Sequence, residues 1–208
     1  MVFVSHGVER MLALQFSELR WDQMDGLPPQ FSGLRAEVFE RLALQRLADG
    51  GRFRTFELVA GADGQLAGQD DAVDFPKRAL SQVPKLLEHL RDDGMMCWSF
   101  NKSQALIDGS CSAGAFQMTL ASEHPMVRGG ALAVAKAWGA TAEEPMTIYF
   151  VVPERKWDVW KRKRAWQRFK AASRVPAGWP GDEEMIKSFR QLALFIPAPV
   201  AEQQLVSI

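Results

Sequence analysis

Residues 145–152 (PMTIYFVV) constrain the fold more than any other stretch of the chain. They form a nearly continuous apolar run, the mark of a strand buried on both faces. Such a strand needs neighbours beside it and layers above and below it. The chain is therefore read as an α/β domain with a central mixed β-sheet flanked by helices. The flanking sequence fits: 126–138 (MVRGGALAVAKAW) is an alanine-rich helix able to pack closely on a sheet, and 154–170 is expected to be a second helix.

The remaining elements follow from periodicity and breakers. Apolar positions over 6–24 predict a helix, broken by Gly26-Leu-Pro-Pro29. A helix over 34–48 stops at Asp49-Gly50-Gly51, where glycine accepts the geometry of a helix end. Residues 52–60 alternate as a strand, 65–72 read as a polar loop or short edge strand, and 77–91 as a helix around Pro84. Strands are expected over 95–100, 114–121 and 192–196, with a short helix or extended segment over 183–191. The organisation is a helical extension over 1–29, one domain over 30–200 and a tail over 201–208.

Composition excludes several classes. With 208 residues, 47% hydrophobic and 24% charged, the chain is long enough and apolar enough to bury a full core. Net charge is zero, so a nucleic-acid surface has to be a local patch. Two cysteines exclude a disulfide framework of several bridges. They leave one Cys97–Cys111 bridge or, as preferred here, two reduced thiols. No run of about 18 apolar residues marks a membrane span, and 1–6 lacks the basic flank of a signal peptide. A Walker-type phosphate loop and a Gly-x-Ser-x-Gly elbow are both missing from the sequence.

The chemistry concentrates in 106–125 (LIDGSCSAGAFQMTLASEHP). It reads as a strand ending on Asp108, a small-residue turn, and a second strand. On that second strand Ala115, Gln117 and Thr119 share one face, and Phe116, Met118 and Leu120 the other. A strand-end carboxylate facing polar residues on its antiparallel neighbour can hold a metal ion; it can equally cap the following turn. In the 34–48 helix, Glu40 falls between Leu44 and Leu47, where an acid is partly desolvated unless a metal or hydrogen-bond partner meets it. A helix-edge pair with Arg46, or a solvated Glu40, is the other reading. Further on, Trp157, Trp160, Trp166 and Phe169 interleave with Lys156, Lys161, Arg162, Lys163, Arg164 and Arg168. That pattern suits phosphate contacts and base stacking, or an amphipathic helix whose tryptophans fill the core. Residues 161–164 (KRKR) also read as a nuclear-import patch.

Four stretches, in order and spacing, resemble the nuclease-like domain shared by Crinkler effectors and the retrotransposon hot spot proteins of trypanosomes. Gly33, Val38-Phe39-Glu40 and Gly50-Gly51-Arg52-Phe53 are similar to its opening, G-x-x-F-E … G-G-x-F. Ala105-Leu-Ile-Asp108 is similar to its x-x-I-D strand. Phe116-Gln-Met-Thr119 with His124-Pro125 is similar to F-Q-x-T … H-P. Ile148-Tyr-Phe-Val-Val-Pro153, followed by Gln167, matches its buried strand and next helix. The resemblance covers about 30–197 and implies a restriction-endonuclease-like fold of the PD-(D/E)XK superfamily, with Mg²⁺ (or Mn²⁺) and DNA or RNA phosphodiesters. Carried over by position, Glu40 and Asp108 are the metal carboxylates and Gln117 replaces the second strand acid as an auxiliary ligand. Thr119 stands where the lysine belongs, and Thr119 and His124 orient the attacking water. The resemblance also implies a secreted effector acting in a host nucleus, on DNA or a host nuclear protein. The altered ligand and missing lysine leave a second reading open, an inactive binding domain of the same fold.

Overall fold

The apolar run becomes β7 (Met146–Pro153), with strands on both sides and helices on both faces. The computed structural model describes residues 28–58, 70–99, 106–163, 167–171 and 173–197. The expected 6–24 helix, most of the 1–29 extension and the 201–208 tail lie outside them. The other strands are β1 (Gly51–Glu57), β2 (Asp71–Phe75), β3 (Ala79–Gln82), β4 (Met95–Trp98), β5 (Gly109–Cys111), β6 (Gly114–Met118) and β8 (Phe189–Ile196). The helices are α1 (Ser32–Asp49), α2 (Arg128–Trp138), α3 (Trp157–Lys163) and α4 (Asp182–Lys187). All eight strands join one mixed sheet in the order β2-β1-β8-β7-β6-β5-β4-β3. Pairing is parallel for β3–β4, β6–β7 and β7–β8, and antiparallel elsewhere. The chain is thus α/β with a mixed sheet, as expected.

The sheet is curled. β2 and β3 are its two edges, seven strand spacings apart, or about 33 Å if flat. Only 76–78 join them, a link that spans at most roughly 14 Å. Phe75 on β2 accordingly meets Phe116 of β6 at 5.7 Å and Tyr149 of β7 at 5.5 Å between ring centroids.

α1 lies on the concave face. Its Phe39, Leu44 and Leu47 bury against Phe53, Phe116, Tyr149 and Leu194. The helix stops at Gly50, whose φ of 76° and close approach admit no side chain: a Cβ there would stand 2.7 Å from Phe75 O and Lys77 N. α2, α3 and α4 cover the convex face, where Leu132, Trp157, Trp160 and Met185 pack on Ile148, Phe150 and Phe195. Burying each such large side chain contributes about 1.5–3 kcal/mol. Cys97 faces the convex core and Cys111 the concave one; both are free, so the bridge does not form. Burial pushes the Cys97 thiol up to about 11 and raises Cys111 as well, which keeps both as thiols.

Three expectations are corrected. Residues 77–91 are not a helix: β3 pairs with β4, Pro84 interrupts, and only a 3₁₀ turn (Leu86–His89) follows. The helix expected over 154–170 is a 3₁₀ turn (Glu154–Lys156) and then α3, ending at Lys163. Beyond it Phe169 bridges to Met126 as extended chain. Asp108 does not end a strand but precedes β5, and the tight turn falls at Ser112-Ala113. Elsewhere, the segment left open at 65–72 contains the start of edge strand β2, and the one at 183–191 resolves into α4 followed by β8, which begins at Phe189.

Candidate active site

The site is built on the β5–β6 hairpin. Cys111 pairs with Gly114, Ser110 with Ala115 and Gly109 with Phe116. One step further the ladder leaves this register, since Asp108 as well as Gly109 lies against Phe116, and the Asp108 side chain reaches Gln117 and Met118. Asp108 N–H donates to Phe116 O at 2.8 Å. Its Oδ2 accepts from Met118 N–H at 2.8 Å and from Gln117 Nε2 at 2.6 Å. The carboxylate therefore takes a ladder position that a backbone carbonyl would fill, and it caps β6. Bonds to an ionised acceptor are the stronger kind.

Gln117 is buried on the α2 face with Ala115, opposite Phe116 and Met118, as the alternation required. Its Nε2 also donates to Met118 O at 3.3 Å, so Gln117 presents nitrogen, not oxygen, to Asp108. Thr119 is buried as well. Its N–H donates to Val151 O at 2.9 Å, and its Oγ1 accepts from Ala121 N–H at 3.1 Å, closing a small turn.

Glu40, 8% exposed on α1, approaches from the concave side. Two contacts fix how α1 lies. The Arg41 guanidinium stacks 3.5 Å over Trp98, and Leu44 abuts Gly109, the register partner of Trp98. At the far end of α1, Ala48 O accepts from Arg78 N–H ahead of β3. Glu40 precedes Arg41 and stands about 6 Å, one turn, before Leu44. It lies toward the end of the hairpin where Asp108 precedes Gly109. Arg46 turns elsewhere, with Nη1 on Gly50 O and its guanidinium over Phe53.

His124 borders the same end. Its ring centroid is 6.4 Å from that of Phe150, the register partner of Gln117. Burial holds its imidazole below the usual histidine range, leaving it neutral at pH 7 and able to accept a proton. The backbone N–H of His124 donates to Gln167 Oε1 at 2.5 Å. Gln167, expected at a nucleic-acid surface, is 5% exposed. Its N–H donates to Gln191 Oε1 at 2.9 Å, and its C=O accepts from Gln191 Nε2 at 3.3 Å. Sequence reasoning missed Gln191; its signal was a lone amide inside an apolar strand.

The basic helix sits beside this cluster, because Trp160 Nε1 donates to Ala121 O at 3.1 Å. Trp157 and Trp160 are buried against Phe56, Phe150 and Phe195, so they fill core space and offer no face to a base. Lys161 pairs with Asp70 at 2.6 Å, and Arg162 Nε bonds Asp158 O at 3.2 Å. Lys156 is half-buried and Arg168 exposed; Arg164 and Trp166 lie outside the described residues. Elsewhere, a cavity of about 470 Å³ opens on β1, β2 and β8, lined by Thr55, Asp71, Tyr149 and a Glu57–Arg190 ion pair. Among the described residues, no helix is long and apolar enough to cross a membrane.

Compared with protein-family profiles, curated proteins and solved structures, the chain finds no match.

Proposed function

We propose that the chain is a nuclease-like domain of the restriction-endonuclease-like kind, similar to the Crinkler and retrotransposon hot spot domain, that hydrolyses phosphodiesters, chiefly of DNA. The observation that supports this reading is a buried acid, Glu40, on α1, the helix whose Leu44 abuts Gly109 next to Asp108. The donor set fits Mg²⁺ or Mn²⁺. Both acids offer hard oxygen, and Mg²⁺ is commonly held by one or two carboxylates together with substrate phosphate. When bound, the ion neutralises charge on the phosphoryl group and lowers the pKa of a water.

In this reading Glu40 and Asp108 hold the ion, and Gln117 fixes the Asp108 carboxylate through its amide nitrogen. Acting as a ligand itself would require its amide to turn. Thr119 and the neutral His124 orient the water, and the exposed cations near α3 meet phosphates. Secretion and action in a host nucleus rest on the resemblance. The test is plasmid cleavage in Mg²⁺ or Mn²⁺ by the wild type, Glu40→Gln and Asp108→Asn. Cleavage is expected to require the ion and to vanish in both variants; cleavage that survives in both refutes the assignment.

The second reading, an inactive domain that binds nucleic acid or a host nuclear protein, is favoured by two contacts. Gln117 commits its amide to Asp108, and Thr119 accepts from Ala121 where a lysine would stand. Retention of a DNA fragment without metal-dependent cleavage supports it.

A further inference from the structure

Three side chains of different donor chemistry meet on the convex side of β4. His89 closes the 3₁₀ turn, Asp92 lies in the turn before β4, and Cys97 is on β4 itself. One ligand atom from each, nitrogen, oxygen and sulfur, lies within 4.8 Å of the other two. We propose that His89, Asp92 and Cys97 bind one Zn²⁺ ion. The site is independent of the nuclease reading.

Four observations support it. Cys97, fully buried, forms the floor, while the half-buried His89 and Asp92 form a rim open to an ion. Tetrahedral zinc with bonds of about 2.0–2.3 Å separates its ligands by roughly 3.3–3.8 Å, so the three atoms have at most about 1.5 Å to close. The backbone carrying the ligands is fixed from β5: Ser110 Oγ donates to His89 O at 3.2 Å and Ser112 N–H to Asp92 O at 3.0 Å. The charges also close. Zn²⁺ with a thiolate, a carboxylate and a neutral imidazole is neutral, so no net charge is buried beside the sheet.

Binding forms a Zn–S bond and releases the thiol proton to solvent; a water completes the fourth position. Thiolate and imidazole select zinc over magnesium, which distinguishes this site from the oxygen ligands of Glu40 and Asp108. A bound ion would fasten the turn after residues 86–89 to β4.

The experiment is a Co²⁺ titration of chelator-stripped, untagged full chain, followed by absorbance and by displacement with Zn²⁺. The expected result is one equivalent of Co²⁺, with a thiolate-to-cobalt charge-transfer band and four-coordinate visible bands that Zn²⁺ abolishes. The charge-transfer band should vanish in Cys97→Ala and persist in Cys111→Ala. His89→Gln, half-buried on the rim, should weaken binding by more than the roughly 10–100-fold that outer-shell partners cost. A wild type without the charge-transfer band, or a His89→Gln variant that binds as tightly as the wild type, overturns the proposal.

Discussion

Replacing Asp108 by alanine strips two donors of their acceptor, Met118 N–H at 2.8 Å and Gln117 Nε2 at 2.6 Å. Both donor residues are buried, Gln117 at 6% exposure and Met118 at 7%, so water reaches them only through the space that Asp108 leaves. A buried donor left alone costs about 1–3 kcal/mol. Because Asp108 itself is only half-buried, water partly substitutes on its side, and the sum falls at about 2–4 kcal/mol. Asp108→Asn keeps one side-chain oxygen for these two donors while losing the charge and turning the other oxygen into an NH₂ group, at about 1 kcal/mol. Urea unfolding in the presence of a chelator measures the difference with no ion bound. The alanine variant should unfold at a clearly lower midpoint than the asparagine variant, with unchanged slopes. Equal midpoints would refute the strand-capping role. If the order holds, asparagine is the variant to use in cleavage assays, since its loss of activity cannot be ascribed to unfolding.

Gly114 has φ 145°, and a Cβ there would stand 2.5 Å from Thr147 O, so Gly114→Ala should cost about 3 kcal/mol. At Gly109 a Cβ would meet the movable tip of Leu44 at 2.7 Å and Cys97 O at 3.3 Å, so Gly109→Ala should cost less, about 1–2 kcal/mol; a reversed order in urea contradicts the hairpin register. Gln117→Glu places a second carboxylate against Asp108, so it should lower the melting temperature in chelator and be stabilised by Mg²⁺ more than the wild type is. Equal Mg²⁺ shifts would argue against an ion there. The Arg128 guanidinium, bonded to both Asp182 oxygens at 2.8 Å, holds that carboxyl below the usual range. A depressed folded pKa stabilises fully above the unfolded value of about 3.9 and is lost as pH falls through the folded one. The urea midpoints of wild type and Asp182→Asn should therefore differ at pH 6 and converge on acidification; a gap that stays constant with pH refutes the linkage.

β7 was legible because burial on both faces leaves nothing but apolar residues in its sequence. α1 was legible because its apolar period and Gly50-Gly51 agree with each other. Residues 77–91 misled because KRALSQV suits a helix locally, whereas β3 is a four-residue edge strand that owes its conformation to β4. The chain past Lys163 misled for the same reason. Phe169 is drawn to Met126 and Gln167 to Gln191, partners too distant in sequence to register in any local pattern. At the site, alternation gave the face of Gln117 but not the side-chain bond that sets Asp108 against it. The tryptophans of α3 read identically as stacking platforms or core fillers, and only their burial decides.

The capping role of Asp108 changes what its presence can testify to. A domain that had lost catalysis would still need this carboxylate to end the β5–β6 ladder, and Gln117 to hold it. Asp108 and Gln117 therefore accompany an active or an inactive chain alike. Glu40 is different. The seating of α1 is set by Phe39, Leu44 and Leu47 in the concave core, by Arg41 on Trp98 and by Gly50 at the helix end. There an 8% exposed carboxylate carries a desolvation cost that an amide does not. Glu40→Gln keeps the side-chain shape and its hydrogen-bonding reach while removing the charge. An ion site predicts that this variant folds and does not cleave. A purely structural glutamate predicts unaltered cleavage, or a binding domain that never cleaved at all.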